Sequence, residues 1–184
     1  MKSSNQNKTQ RLVLVALMAA VCFVSTYFIK IEVPTPAGLT MIKSGNIFCL
    51  LAGMLLGGLY GGLAAGIGSM LYDLLNPAYI ASAPFTLVFF FMMAFVCGTI
   101  SRVGDRRGNQ TFWNILGAVS GSVTYMILHF SKNIITLMLS GSAFVPALEA
   151  ISIKMVTSLI NSVVAVIFSC VLAPELKKVL RRFM

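Results

Sequence analysis

Ionisable side chains are almost absent from six long stretches of this chain, and where they occur they gather near the ends of those stretches. Residues 12–29, 46–58, 60–75, 84–103, 112–139 and 151–174 are built mainly from aliphatic, aromatic and small residues. A helix needs about 20 mostly apolar residues to cross the hydrocarbon core of a bilayer. The 184 residues are 58% hydrophobic and 10% charged, against about 25% charged in a soluble domain. A soluble fold of this size has too little interior to hide that much apolar surface, so lipid is the expected solvent. These features predict an all-α integral membrane protein, a bundle of six transmembrane helices forming a single transmembrane domain over residues 1–184. Strands are not expected, because an open sheet edge cannot face lipid and apolar–polar alternation is missing. Stretches 46–58 and 60–75 are each short for a bilayer, which implies tilt or one misread pair.

The basic residues set the expected topology. Lys2, Lys8 and Arg11 precede the first stretch; Arg102, Arg106 and Arg107 lie between the fourth and fifth; Lys177, Lys178, Arg181 and Arg182 follow the sixth. With six spans all ten fall on one side, and the other side's links carry Lys30 and Lys43. The positive-inside rule then places both termini in the cytoplasm. The formal net charge of +9 is explained by this topology, and a nucleic-acid partner is not expected. Residues 12–29 exceed the usual length of a signal-peptide core, so they are read as a retained helix. The outer links, residues 30–45 and 76–84, contain several prolines and glycines and read as irregular loops. The inner link GDRRGNQ reads as a solvated turn.

Charged and polar side chains inside a membrane are costly and normally face protein or a water-filled cavity. Ser69, Asp73 and Asn76 share a face at the outer end of the third helix. Tyr125, His129, Lys132 and Asn133 share one in the outer half of the fifth. Lys154, Ser158 and Asn161 come early in the sixth, Asn46 opens the second, and Glu149 lies just before the sixth. Polar groups from several helices thus meet at one level, while the inner halves hold almost no charge. A channel needs polar groups through the whole depth; a recess open to one side needs them at one end only. The candidate substrate-binding residues are Asp73, Asn76, Tyr125, His129, Lys132, Asn133, Lys154 and Ser158. Alternatives stay open for several: Asp73 can pair with Lys132 or Lys154, His129 can be an interhelical hydrogen-bonder, Asn76 before Pro77 can simply end a helix, and Asn161 reads as helix glue. Gly53, Gly57, Gly61 and Gly58, Gly62, Gly66, with Gly68 beyond, read as close helix packing.

Other chemistries find little support. Cys22, Cys49, Cys97 and Cys170 lie within apolar runs without a CxxC pair, and His129 is the sole histidine, so neither a metal nor a cofactor is expected. No GxxxxGK[ST] phosphate loop is present. GIGS and SGS lack a neighbouring base and read as packing, so no catalytic residue is expected. A small stand-alone secondary transporter is the alternative class, although no internal repeat is visible.

Three stretches carry a family resemblance: RLVLVALMAAV at residues 11–21, GNIFCLLAGMLLGGLYGGLAAGIGSMLYDLL at 45–75, and APFTLVFFFMMAFVCGTISR at 83–102. In these the chain resembles the S components of energy-coupling factor (ECF) transporters, and especially the riboflavin-type family. The central run is the most specific, with glycine-rich helices closing on GIGS and Asp73; the last two helices match more loosely. The resemblance implies a six-helix, multi-pass subunit in the bacterial plasma membrane that captures one vitamin or related precursor from outside, riboflavin-like or another. It implies joining a transmembrane coupling subunit and two ATPases. It also implies that Ala16 and Ala20, an AxxxA pair on the first helix, dock on the coupling subunit, and that solute sits under the first outer loop. Lys154 departs from the pattern, which would have a neutral polar residue there.

Overall fold

The structure, a computed structural model, describes residues 2–35, 38–103 and 110–180. Arg106, Arg107, Arg181 and Arg182, and with them most of the inner link, lie outside the described residues. The chain forms helix α1 (Lys2–Phe28), strands β1 (Lys30–Thr35) and β2 (Gly38–Lys43), then α2 (Gly45–Leu56), α3 (Gly58–Leu75), α4 (Ala83–Ser101), α5 (Thr111–Leu139) and α6 (Phe144–Leu180). Among the described residues, four helical segments, Lys8–Phe28, Ile80–Ser101, Thr111–Leu139 and Phe144–Lys178, are long and apolar enough to cross a membrane. Helix α2, at 1.5 Å per residue, spans only about 18 Å of a hydrocarbon core about 30 Å thick.

Several expected boundaries are corrected. Helix α1 begins at Lys2 instead of residue 12, and α6 begins at Phe144 instead of residue 151 and continues through Pro174 to Leu180. Apolarity marks where a helix meets lipid, whereas Lys, Gln, Glu and Ser extend it into water at little cost. The larger correction concerns residues 30–45. They were expected to be irregular, but β1 and β2 pair antiparallel in the register Lys30↔Lys43 to Thr35↔Gly38. Pro34 argues against a strand. A two-stranded ribbon is all edge, however, and an edge tolerates a residue without an N–H.

Contacts sort the element ends into two levels. At one, Arg11 lies over the Tyr60 ring, 5.8 Å from its centroid, and the Arg102 guanidinium donates to the Leu55 carbonyl. The start of α1, the α2–α3 junction and the end of α4 therefore lie together. At the other, Ser44 N donates to Ile29 O (3.1 Å) and Lys43 N to Asn161 Oδ1 (3.0 Å). Lys132 Nζ reaches Ser82 Oγ (3.2 Å). This second level, the hairpin end, gathers the hairpin, the α3–α4 link, the later part of α5 and the earlier part of α6.

Leu50, Leu51, Met54, Phe90 and Met93 form the centre of the core, with Cys22, Cys49 and Cys97 fully buried among them as free thiols. Many large apolar residues face outward along the long helices, among them Leu12, Leu17, Val88, Ile127, Val156 and Phe168. That is the surface a lipid-embedded bundle presents. Gly57 turns the chain between α2 and α3 at φ 89°, a conformation that favours glycine. Gly98 of α4 lies so close to α2 that a Cβ there would meet the Gly53 carbonyl oxygen at 2.5 Å and backbone atoms of Gly57 and Gly58 at 2.6 Å. Gly98→Val is expected to lower stability by about 1–3 kcal/mol or more. A thermal melt of the purified protein in detergent, showing a fall of several degrees, checks this.

Candidate functional site

A cavity of about 280 Å³ opens at the hairpin end between β2, the α3–α4 link, α4, α5 and α6. Seven of the eight residues singled out in the sequence line it: Asp73, Tyr125, His129, Lys132, Asn133, Lys154 and Ser158. Helical spacing is the reason. Residues three or four apart share a face, and α5 and α6 pack side by side with their polar faces toward α4 and the hairpin.

Several of these side chains are held by neighbours. Lys154 is buried, and its Nζ is 3.4 Å from Asn133 Oδ1. The Asn133 amide donates to the His129 carbonyl at 2.7 Å. Lys132 donates to Ser82 and lies over the Phe85 ring, 5.4 Å from its centroid. His129 stacks on Tyr125 (centroids 5.5 Å apart, planes 15°) and meets Phe89 edge-on. Tyr125 packs in turn against Phe90 at 4.8 Å. Asp73 is buried and forms no contact ion pair among the described residues, so the alternative of a bridge to Lys132 or Lys154 is not realised.

Asn76 is the exception. Its Nδ2 donates to Tyr72 Oη (3.1 Å) and its Oδ1 accepts from Ala78 N (3.1 Å). It ends α3 and does not line the cavity, because the polypeptide turns away at Pro77 and the side chain folds back on its own helix. Tyr72 Oη also receives Lys30 Nζ at 2.8 Å, and Lys30 reaches Glu32 Oε1 at 2.9 Å. These two acceptors raise the Lys30 pKa above its ordinary value. Glu149 is exposed on α6 and is not part of the lining. Asn46 is buried beneath the hairpin, also outside the lining.

Four residues outside the eight candidates also line the cavity. Lys43 of β2 lines the cavity, its Nζ 4.6 Å from the Phe90 ring centroid; burial lowers its pKa, with Asp73 opposing. Asn161, read as helix glue, instead grips β2: besides accepting from Lys43 N, its Nδ2 donates to Met41 O at 2.8 Å. Tyr79 lines the cavity with a buried hydroxyl that has no partner among the described residues. Burial, with Glu32 and Tyr72 adding, pushes its pKa up to about 12. Thr86 stands on α4 beside Asp73 in the lining. Asn161 shares a helix face with Lys154 and Ser158, which was a usable signal; nothing local marks Lys43 or Thr86.

Long apolar helices around a polar recess confined to one end define a class: a multi-pass membrane protein with the form of a transporter's substrate-binding subunit. Over residues 6–178 the chain matches the family described as ECF-type riboflavin transporter, S component, and it belongs to that family. Members are substrate-binding subunits of a transporter, not enzymes. No curated protein and no solved structure matches the chain.

Proposed function

We propose that this chain captures a small water-soluble vitamin or related precursor, riboflavin-like or another, in the cavity at the hairpin end. It would pass that solute inward with a transmembrane coupling subunit and two ATPase subunits, in a bacterial plasma membrane. The supporting observation is that costly polar side chains from α3, α5 and α6 meet the hairpin around one recess, where the Tyr79 hydroxyl has no hydrogen-bond partner among the described residues. In this reading the hairpin end faces outside and both termini are cytoplasmic, which puts Lys8, Arg11, Arg102, Lys177 and Lys178 on the inner side. Ala16 and Ala20 are exposed on α1. Their small side chains are therefore not used for packing within the bundle, which suits a face for the coupling subunit.

Reconstitution tests this reading. Uptake into proteoliposomes is expected only when the coupling subunit and ATPases are present with ATP, and the purified chain alone is expected to hydrolyse no ATP. Uptake by the chain alone, driven by an ion gradient, would contradict it and favour a stand-alone secondary transporter.

A further inference from the structure

The geometry points to an organic anion, a carboxylate or phosphate ester carried on a small apolar or ring-bearing body, as the solute this cavity takes. This rests on the capture function proposed above and specifies the chemical class of its ligand. Three ammonium groups from three separate elements line the recess: Lys43 from β2, Lys132 from α5 and Lys154 from α6. Among the described residues one carboxylate, Asp73, lines it with them. Two of those ammonium groups rest on aromatic faces, Lys43 on Phe90 and Lys132 on Phe85. A ring face offers a cation far less than a carboxylate does.

Placing cations at membrane depth is expensive unless an opposite charge or water meets them. Here they surround space large enough for a small molecule. An anion entering there meets ammonium groups from three elements that line the recess. Aromatic side chains, Phe85, Phe89 and His129 among them, also line the recess and suit a ring-bearing body. A solute as neutral as riboflavin would bring no opposite charge to Lys43 and Lys132, whose ammonium groups rest on rings. The charge of the lining therefore separates this chain's ligand from the one in its family's description.

Matched solutes that differ at the anionic group provide the test: nicotinate with nicotinamide, pantothenate with pantothenol, biotin with biotinamide, and flavin mononucleotide with riboflavin. Each is titrated against the full chain in detergent, and the melting temperature is read. At least one anionic member is expected to stabilise the protein, with its neutral partner about tenfold or more weaker. Lys43→Gln, placed in the hairpin outside the helical core, and Lys132→Gln are expected to erase that preference while the unliganded melting temperature stays close to wild type. Equal stabilisation by a neutral partner overturns the inference, as does stabilisation by none of the anions. Co-purification with the coupling subunit and ATPases is measured on the same preparations. Intact assembly without anion preference sinks this inference alone, whereas anion binding without assembly sinks the S-component function alone.

Discussion

Ala16→Trp combined with Ala20→Trp is expected to abolish solute uptake in cells and leave binding of solute by the purified chain unchanged. Both alanines sit on the outward face of α1, where Leu12, Val13 and Leu17 are also exposed. Small residues four apart let a second helix approach closely, and two indole rings would hold it away. No described cavity-lining residue comes from α1, so the solute site has no direct stake in the change. Pull-down of the coupling subunit and ATPases should fail with the double variant and succeed with wild type. Loss of solute binding together with assembly would show that this face supports the bundle itself.

Asn161→Ala should weaken solute binding by about tenfold to a hundredfold. The amide is buried and bridges α6 to β2 with two hydrogen bonds, one accepted from Lys43 N and one donated to Met41 O. Removing it strands both backbone groups, at roughly 1–3 kcal/mol for each buried group left unmade. The hairpin then loses its tether and Lys43 its fixed place beside Phe90. Titration of co-purified solute against the variant checks this, with Asn161→Asp as the milder comparison because it preserves the acceptor for Lys43 N. Affinity equal to wild type in Asn161→Ala would mean that the hairpin is held by other contacts.

The polar faces of α5 and α6 were legible because helical periodicity depends on local spacing alone. Tyr125, His129, Lys132 and Asn133 had to share a side once the segment was a helix, and membrane depth then demanded that this side face protein or water. Asp73 followed for the same reason. Asn76 misled because a polar residue ending a helix and a polar residue facing a cavity look identical in sequence; only the bonds to Tyr72 and Ala78 separate them. The hairpin and its clasp were hidden for different reasons. Pro34 argues against a strand, and the Lys43–Asn161 contact joins residues 118 positions apart, a pairing that no local pattern encodes. Lys43 therefore looked like one of two outer-loop lysines, when the register of β2 and the grip of α6 turn it into part of the site.

The boundaries failed in an instructive direction. Both ends of α6 and the start of α1 run beyond the apolar stretches, since hydrophobicity reports the solvent around a helix and not the helix. The glycines were read as packing, and Gly98 was not singled out at all. It shows what that packing requires: with Gly53 it brings the α2 and α4 backbones to a distance that excludes any side chain.

Quantifying the small molecule that co-purifies with the wild-type chain and with Ser158→Trp, by mass spectrometry, tests the cavity most directly. Ser158 is buried in the lining, and an indole there would occupy the space offered to solute. Wild type should carry one compound in amounts comparable to the protein, and a Ser158→Trp chain that still melts cooperatively should carry almost none. Equal recovery of the same compound from both would place the bound solute elsewhere and contradict the account.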